Sequence, residues 1–275
     1  AALACSAFVF LLGGGPVELL CSFVGEGCGN FVRRKMIDRH ITLLACVAVS
    51  VAVACLLYLV PFMALQNFWG INERHEAGYI GAMLFIIPGF PFITSGLDLA
   101  KLDMRSGLER AAYALLIITV ATLVGWLVAL MVHLRPANFA ALPLNEWQLL
   151  LLRLPASFCG VFGFSIMFNS TPKMAAMAGV IGALGNTLRL ELVDFGMAAG
   201  PAAFLGALAC GLLAAIVRNR VGYPRIAITI PSVVIMVPGL YMYRAVYNLG
   251  LQSVNTGAEW LTRAMLIVLF LPLGQ

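Results

Sequence analysis

The chain has 275 residues, 62% of them hydrophobic and only 11% charged, with a mean hydropathy of +0.98. A soluble domain carries about 25% charge, so a water-soluble enzyme is excluded, and a polytopic helical membrane protein fits the whole length. The 17 basic and 12 acidic residues, net +5, are too few and too scattered to form the basic stripe that a nucleic-acid backbone recruits.

Seven cysteines lie in apolar runs, odd in number and without C-x-x-C spacing, and read as buried thiols rather than metal or redox ligands. The chain opens at Ala1 with no cationic stretch before its first apolar run, so a preceding piece of a longer protein is expected.

Apolar runs alternate with short polar or Gly/Pro junctions, and about 20 residues cross a hydrocarbon core. Ten spans are expected, at 1-14, 16-36, 40-60, 79-102, 107-134, 146-168, 172-190, 197-218, 224-248 and 257-274. With the N-terminus inside, the inner junctions hold eleven basic residues (Arg33, Arg34, Lys35, Arg39; Lys101, Arg105, Arg110; Lys173; Arg218, Arg220, Arg225). The outer side holds six, Arg74, Arg135, Arg153, Arg189, Arg244 and Arg263. The excess favours cytoplasmic N- and C-termini.

The chain repeats itself. Shifted by 156, Pro16, Gly29, Asn30 and Arg33 fall on Pro172, Gly185, Asn186 and Arg189. Shifted by 150, Pro88-Gly89, Asp98 and Ser106-Gly107-Leu108-Glu109 fall on Pro238-Gly239, Asn248 and Thr256-Gly257-Ala258-Glu259. Shared Pro, Asn, Arg and Glu at fixed spacing are not effects of apolar composition. Residues 1-134 and 146-275 therefore read as two five-helix repeats, joined by a connecting loop at 135-145. Five spans per copy invert the second relative to the first, the inverted-topology architecture of secondary transporters.

The fourth and ninth spans are expected to be discontinuous. Pro88 and Pro91 remove the amides that would pair with the carbonyls of Leu84 and Ile87, and Pro231 and Pro238 do the same to Ala227 and Val234. Such acceptors are tolerated at depth only against protein or a wet cavity. Released carbonyls would hold an ammonium or cation, and the N-terminus of each following half-helix would attract a carboxylate. Pro88, Gly89, Pro238 and Gly239 are thus candidate substrate residues, suited to a zwitterionic amino acid.

Beyond the breaks stand Thr94, Ser95 and Asp98 in the first copy and Tyr241, Tyr243, Arg244, Tyr247 and Asn248 in the second. Ionisable groups within spans usually face a partner or a cavity. Asp98 is a candidate for binding a proton or a substrate ammonium, against a surface pair with Lys101. Arg244 either reaches the cavity or snorkels to the outer headgroups. Glu26, on a glycine-rich face with Gly25, Gly27 and Gly29, is a second proton-coupling candidate, or pairs with an Arg from another helix. The repeated G-N-x-x-R reads as a helix C-cap and interface anchor, and Asn169-Ser170-Thr171 before Pro172 as an N-cap.

Several stretches resemble the threonine/serine exporter family of bacterial inner-membrane proteins. They are Phe10-Leu11-Leu12-Gly13-Gly14-Gly15, the segment from Ile87 through Pro88-Gly89-Phe90-Pro91 to Asp98, Ser106-Gly107-Leu108-Glu109-Arg110, and Val237-Pro238-Gly239 with Tyr243-Arg244. The resemblance covers essentially the whole chain and implies a ten-span exporter, found in relatives as one chain or as two five-span chains. Members usually carry a soluble region before the first span. Where relatives often have Asn-Ala after the second proline, this chain has Thr94-Ser95.

The expected function is proton-coupled export of threonine, serine or similar solutes by alternating access, with protons, lipid and small solutes as partners and homo-oligomerisation left open. No cofactor is expected. An alternative substrate class is the C4-dicarboxylates, favoured if Arg189 and Arg244 reach the cavity while Glu26 and Asp98 turn away. A third reading, an intramembrane serine protease, rests on Gly163-Phe164-Ser165-Ile166, but the histidines His40, His75 and His133 lie at span ends, away from a base's position. No G-x-x-x-x-G-K-[ST] is present, which excludes ATP-driven pumping by this chain.

Overall fold

The computed structural model describes residues 1–69, 76–132, 144–251 and 253–275. Within them lie twelve α-helices, one 3₁₀ turn and no strand. The first half comprises α1 (Ala2–Leu11), α2 (Pro16–Asp38), α3 (Leu43–Trp69), α4 (Glu76–Gly81), the 3₁₀ turn Leu84–Ile86, α5 (Gly89–Ala100) and α6 (Met104–Met131). The second comprises α7 (Glu146–Met167), α8 (Pro172–Asp194), α9 (Ala199–Val221), α10 (Arg225–Val234), α11 (Gly239–Gly250) and α12 (Val254–Leu273). Arg74, His75, Arg135, His133 and most of the connecting loop fall outside the described residues.

Six helices, α3, α6, α7, α8, α9 and α12, are long and apolar enough to cross a bilayer. Two bent pairs bring the number to eight: Ala77–Ile86 with Gly89–Ala100, at 63°, and α10 with α11, at 48°. The first two expected spans fall short for different reasons. Helix α1 has 10 residues, and α2 carries Glu18, Glu26, Arg33, Arg34 and Lys35 among its 23. The outward faces present Leu20, Phe31, Val60, Leu116 and Leu151 to the surroundings, a surface that acyl chains solvate and water does not.

The two halves fold alike at the level of single residues. At the α1–α2 and α7–α8 reversals, the 156-related pair Gly13 and Asn169 both turn left-handed, with φ 92° and 63°. At the next reversals His40 and Gly196 do the same, with φ 56° and 92°. Glycine enters this region freely and Asn with little penalty. Small residues then admit close packing. Gly29 of α2 lies against Ala54 and the Ser50 carbonyl of α3, and Gly185 of α8 lies against Cys210 and the Gly206 carbonyl of α9. Gly107 sits beneath Leu99 as Gly257 sits beneath Leu249. Between the halves, α1 packs on α7, α5 on α12 and α6 on α11.

The G-N-x-x-R segments are not helix C-caps. Helix α2 runs on to Asp38 and α8 to Asp194, so Asn30 and Asn186 are interior. Asn186 is fully buried and its Nδ2 donates to Ser157 Oγ of α7 at 2.9 Å. The hydrogen bond is between helices, which is why the motif sits mid-helix. The N-cap reading of Thr171 agrees with its hydroxyl accepting from the Met174 amide at 3.4 Å, ahead of Pro172 at the first helical position.

Candidate functional site

Pro88 and Pro238 cap α5 and α11 with nearly the same backbone, φ −79° and ψ 62° against φ −81° and ψ 53°. Each centres an inverse γ-turn: the Gly89 amide donates to the Ile87 carbonyl at 2.8 Å, and the Gly239 amide to the Val237 carbonyl at 2.9 Å. Just before them, the Leu84 and Val234 carbonyls each accept from a residue three further on, Ile87 and Val237, at 3.1 Å. Three of the four expected free acceptors, Leu84, Ile87 and Val234, are therefore occupied, because the chain tightens into i+2 and i+3 turns and supplies its own donors. The half-helix N-terminus is equally economical in α5: the Gly89 amide is used, Pro91 has none, and of these first three residues only Phe90 offers one.

The two breaks face each other across a chamber of about 20 Å³ lined by Phe8, Leu84, Ile87, Gly89, Phe164, Val234, Val237 and Gly239. Every lining residue has its counterpart at the shift of 156 or 150 among the others: Phe8 with Phe164, Leu84 with Val234, Ile87 with Val237, Gly89 with Gly239. The chamber holds about one water and is apolar apart from its backbone. It is too small to hold an amino acid.

The candidate polar residues divide between the two halves of the chain. On α5, the Thr94 hydroxyl donates to the Phe90 and Pro91 carbonyls at 3.0 and 3.2 Å, as a helical Thr does when no other acceptor competes. Thr94 lines an open recess of about 500 Å³ with Phe90, Pro91, Ser106, Glu109, Arg110 and Tyr113. One turn on, Asp98 Oδ2 pairs with Arg110 Nη1 of α6 at 3.1 Å, and not with Lys101. The i+3 spacing pointed to Lys101, but the α5–α6 reversal at Leu102, φ 64°, brings Arg110 alongside instead. Ser95 is buried, and its hydroxyl donates to the Gly107 carbonyl at 2.7 Å, tying α5 to α6.

In the second half the same positions form a packed cluster. The Arg244 guanidinium lies over the Trp260 ring at 4.8 Å, Arg263 at 5.2 Å from the same ring, and Tyr241 tilts against it at 5.4 Å. Arg263 also pairs with Glu259 at 2.5 Å. Arg244 is thus buried on an aromatic face rather than snorkelling. Tyr243 and Tyr247 are buried side by side, rings 6.2 Å apart, and Asn248 Nδ2 donates to the Arg244 carbonyl at 2.7 Å.

Glu26 lies elsewhere. It is fully buried in α2 beside the Cys5 thiol of α1, and no nitrogen or hydroxyl donor meets its carboxylate among the described residues. The arginine partner considered for it is absent among those residues. At a shift of 156 it falls on Gly182, which packs directly on the Ser232 carbonyl. Sequence reasoning missed a further buried charge group: Arg153 of α7 pairs with Glu191 and Asp194 of α8, both at 2.6 Å. The E-x-x-D spacing that ends α8 places both carboxylates on one face and was the available signal. Ser165 is buried, and its hydroxyl has no hydrogen-bond partner among the described residues.

A cleft of about 320 Å³ separates α5 and α6 from α11 and α12. It too is lined in pairs that a shift of 150 relates, among them Phe92 and Met242, Leu99 and Leu249, and Leu115 and Met265.

Residues 1–133 match a family model described as "Putative threonine/serine exporter", and residues 153–275 match a model described as "Threonine/Serine exporter, ThrE". An uncharacterized protein of Haemophilus influenzae is 30% identical over 135 residues, a match that covers 45% of this chain and 45% of that protein. No solved structure matches. With one exporter model on each half of an all-helical membrane chain, the protein belongs to the threonine/serine exporter family.

Proposed function

We propose that this chain is a secondary active transporter that exports threonine, serine and similar small amino acids from the bacterial cytoplasm, coupled to protons and working by alternating access. It sits in the inner membrane with both termini cytoplasmic. Its ten spans form two inverted five-helix repeats, with α1 and the charged α2 completing the eight apolar spans, and α4–α5 and α10–α11 forming the discontinuous fourth and ninth. The observation that carries the reading is the mutual contact of the two breaks, each Pro-Gly capping a half-helix and each glycine packed on the other break. A barrier built from equivalent pieces of both repeats can open toward either side by moving one against the other.

An amino acid suits the polar residues better than a dicarboxylate does. Arg189 donates weakly to the Met236 carbonyl at 3.5 Å and Arg244 stacks on Trp260, so neither lines the chamber. Asp98 stands beside the open recess with a cation next to it. Glu26 is a fully buried carboxylate with no arginine or lysine partner among the described residues, a property suited to a proton carrier.

The test is uptake of labelled threonine, serine and succinate into inside-out vesicles, with and without an imposed proton gradient. Gradient-driven accumulation of threonine or serine supports the reading. Succinate accumulation with no amino-acid transport replaces it with dicarboxylate export.

A further inference from the structure

We infer that the recess on α5 and α6 is the loading site for a zwitterionic amino acid, with Arg110 receiving the carboxylate and Asp98 the ammonium. The inference rests on the exporter reading and adds the site, its polarity and its partner in the cycle.

The recess has the size of ligand pockets, about 300–1,000 Å³, whereas the 20 Å³ chamber between the breaks does not. Its wall supplies Arg110, and the Asp98 carboxylate pairs with that arginine at 3.1 Å from behind the lining, so the two together offer both charges that a free amino acid requires. The pair is half exposed on the arginine side, so a ligand can part it and replace each contact with one of its own. Around it stand hydroxyls at Ser106, Thr94 and Tyr113 and the apolar rings of Phe90 and Pro91, a mixture suited to a short polar side chain. Glu109 also lines the recess and pairs with Arg105 at 3.1 Å, whereas the carboxylate paired with Arg110 is that of Asp98.

The second repeat provides an independent observation. Shifted by 150, the lining Phe90, Pro91, Thr94, Glu109, Arg110 and Tyr113 becomes Leu240, Tyr241, Arg244, Glu259, Trp260 and Arg263. That is the packed cluster, in which Arg244 and Arg263 lie on Trp260. The same place in the fold is thus open in one half and filled by its own side chains in the other. The structure is a loading state, facing the cytoplasm in the proposed orientation, with Arg244 on Trp260 closing the release side. Thr94, being small where its counterpart is Arg244, keeps the loading side open.

The full chain in lipid nanodiscs, titrated with labelled L-threonine, tests the site. Arg110→Gln and Asp98→Asn should each weaken binding by about tenfold or more, the effect of losing one charge-assisted contact, while Arg110→Lys recovers part of it. Threonine methyl ester, which lacks the carboxylate, should bind wild type and Arg110→Gln within twofold of each other. Succinate should gain affinity in Asp98→Asn, because a like charge is removed. Both charge variants binding threonine within twofold of wild type, in chains that still transport it, would overturn the site while leaving the exporter reading intact. Wild type that neither binds nor transports threonine or serine would overturn both.

Discussion

Gly89 lies against Val234: a methyl group on the glycine would stand 3.0 Å from Val234 Cγ1. The reciprocal contact is tighter, since a methyl on Gly239 would stand 2.3 Å from Ile87 Cδ1. Both neighbours are side-chain tips, so an alanine is accommodated by a small shift whereas a large side chain wedges the breaks apart. Gly89→Trp should insert normally, judged by membrane yield and monodispersity, and lose transport in vesicles, with Gly89→Ala retaining most of it. Wild-type export by Gly89→Trp would reduce the break to a passive kink.

Inversion of the repeats is checked by sidedness. Ser106 and Thr256 are equivalent positions at the starts of α6 and α12. In a chain with its seven cysteines replaced, single cysteines at these two positions should react with a membrane-impermeant maleimide from opposite faces of the membrane. Labelling of both from one face would exclude inverted repeats.

Much of this was legible before any coordinates. The proline-glycine breaks and the two repeat registers came from side-chain identity at fixed spacing, and backbone geometry at Pro88 and Pro238 follows from proline's fixed φ. What escaped was non-local. That Asp98 pairs with Arg110 and not Lys101 depends on how α5 turns into α6 at Leu102, and that Asn186 bonds Ser157 depends on α7 lying beside α8. The broken carbonyls were expected to be free because proline deletes donors; their rescue by i+2 and i+3 turns is decided by the residues on the near side of the break.

Proton coupling has two candidates with different environments. Asp98→Asn should keep the fold, and on the coupling reading it abolishes the response of threonine transport to a pH gradient. Glu26→Gln, which removes a buried carboxylate without changing its volume, is expected to fold at least as well as wild type and to separate the roles. If gradient-driven transport persists in Asp98→Asn and fails in Glu26→Gln, the proton travels through α2.

Leu102 adopts φ 64° although it has a side chain, and it is exposed. The left-handed region costs about 1 kcal/mol for such a residue. Leu102→Gly should therefore raise thermal stability by about that amount, measured as the melting temperature of the detergent-solubilised chain. An unchanged or lower value would mean that glycine's gain in unfolded-state freedom cancels the relief.

Removing Arg153 leaves Glu191 and Asp194 facing each other at the end of α8. Glu191 is partly covered and Asp194 half exposed, so the loss in Arg153→Met should be about 2 kcal/mol, between the values for surface and buried pairs. The triple variant with Glu191→Gln and Asp194→Asn should recover most of it in the same melting assay. A single-variant loss that persists in the triple would assign the effect to packing.

The γ-turns at Pro88 and Pro238 bear on what holds the hinges together. A break whose carbonyls relied on a bound ion for their partners would lose them whenever that ion left. Here the Leu84, Ile87, Val234 and Val237 carbonyls take their partners from the chain itself, so on the proposed alternating-access reading the backbone at each pivot needs no resident ion to keep its shape.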